Sequence, residues 1–232
     1  MNDLVLMRGI ADTRRSLSRW NSDPWPVLRG WALGALGVAV LLLATVWAVA
    51  TQATPDATQV QLAGITFEPG PADVLAVLAR NSLVLALHAT ACVAGFIAGS
   101  SLPLSAARRK GLDRVVHERA RPIALAWVVA VTCFSLATQA YVLGSQGATI
   151  ASQLGITPLA LIVTVLPHAL VELTALFLPL AAWTIASRRG EWDGLLAATL
   201  VTVAIAIPML VLAATWEAYV WPQLLMAASP VV

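Results

Sequence analysis

Five runs of predominantly apolar residues constrain this chain more than any other feature: Gly30–Ala53, Ser82–Leu104, Pro122–Gly144, Pro158–Ala186 and Leu195–Ala214, the last able to continue to Val220. Each is about as long as a helix must be to cross a hydrocarbon core of ~30 Å. A soluble core has no room for them. Charged residues make up 11% of the chain and its mean hydropathy is +0.81, which excludes an ordinary soluble domain. The fold class that follows is all-α: a polytopic membrane protein of about five transmembrane helices joined by short loops.

The basic residues then orient the spans. Arg8, Arg14, Arg15, Arg19 and Arg29 precede the first, Arg108 to Arg121 carry a cluster between the second and third, and Arg188 and Arg189 follow the fourth. Cytoplasmic loops hold Lys and Arg in excess near helix ends. A cytoplasmic N-terminus and an extracytoplasmic C-terminus place every basic residue but Arg80 inside. The net charge of +2 is thus a topology signal at anionic headgroups and gives no reason to expect a nucleic-acid partner. The expected location is the cell's inner (cytoplasmic) membrane.

The first 27 residues lack the apolar core of a cleavable signal peptide. They read as a cytoplasmic interfacial helix, with Leu6, Ile10, Leu17 and Trp20 near one face, arginines largely on the other, and a stop at Asp23-Pro24-Trp25-Pro26. Residues 28–222 form the five-span membrane domain, and 223–232 an extracytoplasmic tail. Trp25 and Trp31 suit one aromatic belt, and Trp216, Tyr219 and Trp221 the other. Between the first two spans, Glu68-Pro69-Gly70-Pro71 marks a turn. A short surface helix is expected after it, with Pro71 in its first turn and Asp73 at the positive dipole end. Cys92 and Cys133 fall inside different spans, where they behave as small apolar residues.

The fourth run is too long for an upright helix, since ~1.5 Å per residue carries it to roughly 43 Å. Pro167 lacks an amide donor and crowds the carbonyl of Val163. A break is therefore expected there, with a re-entrant or tilted piece over Pro158–Leu166 and a proper span from Pro167. His168 and Glu172 follow directly, one helical turn apart. Ionisable groups at membrane depth are costly and mark functional sites by default. Asn81 and His88 on the second span, Gln139 near the end of the third and Glu217 near the end of the fifth lie at comparable depth. Together these residues can build one outward-facing polar binding pocket of His168, Glu172, Glu217, His88, Asn81 and Gln139.

Catalytic signatures are missing: no His-Glu-x-x-His, Gly-x-Ser-x-Gly, Gly-x-x-x-x-Gly-Lys or Cys-x-x-Cys occurs. No cofactor or metal is called for. The alternative is an intramembrane hydrolase or peptide-maturation enzyme using His88, His168, Glu172 and Glu217, with zinc as a metal that such ligands suit. Gly30/Gly34 and Gly95/Gly99 permit close helix approach and leave homo-oligomerisation open.

Three segments carry a resemblance. Leu166-Pro167-His168-Ala169-Leu170-Val171-Glu172-Leu173 is similar to the Leu-Pro-His-Gly-x-x-Glu-Leu signature of the stage II sporulation protein M family, with Ala169 at the usual glycine. Asn81-Ser82 resembles the family's opening of the second span. Ala213 to Pro222, containing Trp216-Glu217-Ala218-Tyr219-Val220-Trp221-Pro222, resembles its closing Ile-Glu-x-x-Val-x-Pro. The resemblance spans about Leu28 to Pro222 and implies no agreed enzymatic activity. It implies a scaffold for envelope enzymes or a permease-like subunit of a larger complex. The partners expected are the lipid bilayer, other envelope or membrane proteins, and an ATPase docking on the cytoplasmic face near Arg108 to Arg121.

Overall fold

A computed structural model describes residues 5–57, 61–101 and 111–231. Seven α-helices account for most of them: α1 Val5–Ser22, α2 Trp25–Ala50, α3 Pro71–Phe96, α4 Leu112–Gln153, α5 Pro158–Arg189, α6 Leu195–Tyr219 and α7 Trp221–Ala228. Helices α2 to α6 supply the five segments long and apolar enough to cross a membrane. No strand occurs among the described residues, only an isolated bridge between Ala63 and Phe67. The protein is an all-α, multi-pass membrane protein. The basic cluster at Arg108, Arg109 and Lys110 lies outside the described residues.

Helix ends follow local chemistry. Pro71 opens α3 with a fixed, helix-compatible φ, and Asp73 reaches back to accept a hydrogen bond from the Gly70 amide at 2.8 Å, one half of a capping box. Thr157 caps α5 by accepting the Ala160 amide at 3.1 Å, with Pro158 in the first helical position. At the end of α4, Gly155 adopts φ +63° and the Ile156 amide returns to the Ala151 carbonyl. Gly190, at φ +70°, ends α5 the same way, with the Glu191 amide bonded to the Ala186 carbonyl. Both are left-handed glycine stops of the Schellman type.

Two expectations need correction. The segment after Gly70 is not a separate surface helix: it is the first turns of α3, so the second span starts at Pro71 and Asn81 lies inside it instead of opening it. The fourth segment is not broken by its proline, because α5 runs without interruption through Pro167. A proline costs one amide bond and crowds one carbonyl, but its own φ is helical. In lipid, every backbone group freed by a wider break would go unpaired, so continuing the helix is the cheaper solution. Excess length is accommodated in the same way in α4, which absorbs Pro122 and continues nine residues beyond Gly144 to Gln153.

The chain divides into two compact units, and each is built from several helices. The first comprises Met1–Ala35, Val84–Cys133 and Leu176–Ala206. Here α1 docks on the turn between α5 and α6 through small residues: a side chain at Gly9 would collide with Leu196, and Gly194 lies against Ser16 and Trp20. Trp20 meets Trp31 edge-on at 5.2 Å, and Ser100 donates a 2.6 Å hydrogen bond to Asp193. Thus Asp12 and Ser16, not Leu17 and Ile10, lie on the enclosed face of α1; Ile10 is exposed. The Cys92 thiol, fully buried, donates to the Pro179 carbonyl.

The second unit comprises Leu36–Leu83, Phe134–Ala175 and Ile207–Val232. A buried cluster of Ala151, Leu154, Leu161 and Leu225 ties α4, α5 and α7 together, with Ile65, Val165 and Trp221 packed around it. The connection after α2 folds onto this cluster. Gly64, at φ +81°, sits so close to Pro222 that an added Cβ would approach within 2.6 Å. Ser229 donates to the Leu154 carbonyl at 2.7 Å and anchors the residues after α7. On α2, Leu41 is exposed, and so are Leu83 and Phe134 at 75% and 74%, as expected of side chains facing lipid.

Candidate functional site: a charged cavity in the second unit

α5 carries His168 and Glu172 four residues apart, hence on one face of an uninterrupted helix. That face opens on a cavity of about 430 Å³ within the second unit. Glu217 reaches the same space from α6 and Arg80 from α3, so two carboxylates and one guanidinium meet there. Aliphatic side chains of α2, α4 and α5, among them Leu43, Val46, Leu143, Ile162 and Val165, form most of the wall. Gln61 and Gln146 contribute exposed amides.

Arg80 Nη2 lies 3.6 Å from Glu217 Oε1. This is a long ion pair with an open side, since the Arg80 side chain is 58% exposed and that of Glu217 20%. Screening at the guanidinium limits its contribution to about 1 kcal/mol or less. Asn81, next to Arg80 in sequence, turns inward and stands beside the Glu172 carboxylate, yet its Nδ2 is buried without a hydrogen bond. The His168 ring packs against the Trp221 indole with centroids 5.7 Å apart, and its Nδ1 is buried without a partner. Trp221 in turn donates its indole N–H to Thr164 Oγ1 at 3.3 Å, fixing the ring that backs the imidazole. Both atoms are enclosed behind the cavity wall.

Of the six residues singled out in the sequence, His168, Glu172 and Glu217 line the cavity and Asn81 abuts it. Gln139 belongs to the same unit but does not line the cavity; its amide donates to Ser135 Oγ at 3.1 Å. His88 belongs to the first unit, where it is fully buried and edge-on to Phe177 at 5.2 Å. No group of three or more His, Cys, Asp or Glu able to hold a metal occurs among the described residues.

Sequence reasoning passed over Arg80, Gln146 and Trp221 as members of the site. Arg80 had a usable signal. It is the single basic residue that breaks the charge asymmetry of the loops, and it falls inside an apolar helix next to Asn81, where a cation needs an anionic partner. Trp221 was assigned to an aromatic belt, and only the turn into α7 brings its ring back over His168.

Residues 119–222 match the sequence profile of the family described as stage II sporulation protein M. Over that stretch the chain is similar to this family. The matched region contains α5 and α6 whole, and hence His168, Glu172, Glu217 and Trp221, whereas Arg80 and Asn81 lie outside it. It is also shorter than the Leu28-to-Pro222 resemblance read from the sequence. No curated protein and no solved structure matches the chain.

Proposed function

We propose that this protein is a non-enzymatic scaffold or permease-like subunit of an envelope-associated complex, and that the cavity of the second unit is where it engages its partner. The observation that carries this reading is the composition of that cavity. It has a charged centre, two carboxylates against one guanidinium, within an aliphatic wall, a combination suited to holding a side chain or small group. No observation on the described residues favours the hydrolase alternative.

In this reading the membrane is the cell's inner one. The positive-inside rule puts the N-terminus in the cytoplasm and the loop bearing Gln61 on the exported side, so the cavity opens outward. An ATPase on the cytoplasmic face is a second proposed partner, through the basic stretch after α3.

Site-specific photo-crosslinking tests the assignment. A photoreactive residue replacing Gln146, at the cavity, is expected to yield protein adducts in cells, and the same residue replacing Leu83, on the lipid-facing surface, only lipid adducts. Protein adducts from position 83 with none from 146 would contradict the assignment.

A further inference from the structure

We propose that the cavity takes a primary ammonium on an unbranched apolar stem, presented as a lysine side chain by the protein with which this chain assembles; this rests on the assembly reading above. Charge is the first argument. Glu172 and Glu217 line the cavity against one guanidinium, and Arg80 is already in contact with Glu217. Glu172, at membrane depth, has the Asn81 amide beside it and shares the single Arg80 cation with Glu217. A carboxylate in that setting gains most from a cation brought in with the partner.

The hydrogen-bonding pattern selects the cation. An ammonium donates three divergent hydrogen bonds and accepts none, whereas a guanidinium offers a flat fork that seeks a coplanar, bidentate acceptor. Here the two carboxylates come from different helices, Glu172 from α5 and Glu217 from α6. Glu172 offers its carboxylate. His168, one turn earlier on the same face, lines the cavity beside it. Gln61 and Gln146 line the same cavity. The aliphatic wall suits a methylene stem, as lysine buries its chain while its head seeks charge. An aminophospholipid fits less well, because its phosphate lies next to its ammonium. It would be drawn in against two carboxylates while the one guanidinium is engaged.

The test uses the full chain in phosphatidylcholine nanodiscs, titrated calorimetrically with n-hexylammonium and, separately, with 1-hexanol, empty discs being subtracted. Saturable binding of n-hexylammonium is expected at least about tenfold tighter than that of 1-hexanol, the value of one charge-assisted hydrogen bond. Glu172→Gln should lose about that factor. Arg80→Gln should move the other way and tighten binding, because it removes the competing cation; misfolding cannot produce a gain, so the pair of variants remains informative. Equal affinity for the amine and the alcohol, or an unchanged Glu172→Gln affinity, would overturn the ammonium assignment. Competition by phosphatidylethanolamine in the discs would overturn the partner as its source. Protein adducts at position 146 without ammonium binding would refute this proposal and leave the assembly reading standing.

Discussion

Helices α2 and α4 meet in the second unit at a glycine, and that contact gives a prediction whose size can be worked from coordinates. A Cβ built on Gly144 would lie 2.6 Å from both Cβ and Cγ1 of Val49 and 2.9 Å from the carbonyl oxygen of Val46, where ordinary contact begins at 3.4 Å. The Gly144→Ala variant must therefore move α2 and α4 apart locally by roughly 0.8 Å, against backbone on one side and a stiff β-branched side chain on the other. Overpacking of this kind costs about 1–3 kcal/mol. Alanine also raises helix propensity by about 1 kcal/mol over glycine, which would hide part of the cost. Gly37 on α2 supplies the control, since an added Cβ there meets nothing within 4 Å. Both variants share the propensity gain, so the difference between them isolates the collision. In equilibrium unfolding by SDS in mixed micelles, Gly144→Ala is expected to be less stable than Gly37→Ala by about 1–3 kcal/mol. Adding Val49→Ala should not restore stability, because the Val49 Cβ and the Val46 carbonyl remain in place. Equal stability of the two glycine variants would refute the close approach of the helices.

Two further predictions concern the site's framework. Pro167 is exposed and the helix is continuous through it, so Pro167→Ala should restore one backbone hydrogen bond to Val163 without losing a packed side chain; unfolding should show unchanged or higher stability, and a clear loss would mean that the proline is required to shape α5. A double-mutant cycle of Arg80→Gln and Glu217→Gln should return a coupling of about 1 kcal/mol or less, since the guanidinium is largely exposed; a coupling of several kcal/mol would show the pair to be enclosed and tight.

The membrane architecture was legible in the sequence because it rests on length and composition alone. Five apolar runs became five helices, with ends set by glycine, proline and capping residues that act locally: Pro71 with Asp73, Thr157 with Pro158, Gly155 and Gly190. What local rules misjudged was continuity. Pro167 reads as a stop in water, yet lipid penalises freed backbone groups so strongly that α5 passes straight through it, and Asp73 was assigned to a surface helix that is in fact the start of a span. The partners within the site were legible where spacing on one helix decides them, as with His168 and Glu172. Contacts between helices were not. His88 and Gln139 share polarity and approximate depth with the site residues, but which way a helix is rotated depends on packing that no single segment encodes. Arg80 stands out in the sequence as a lone cation in an apolar span, but its partner Glu217, 3.6 Å away, is set by helix packing.

The proposed outward opening of the cavity makes the accessibility of one position decisive. With Gln146→Cys in sealed vesicles of each orientation and the native Cys92 and Cys133 replaced, a membrane-impermeant maleimide should label the thiol from the exported face alone, and excess n-hexylammonium should slow the labelling. Labelling from the cytoplasmic face, or none from either, would contradict the account.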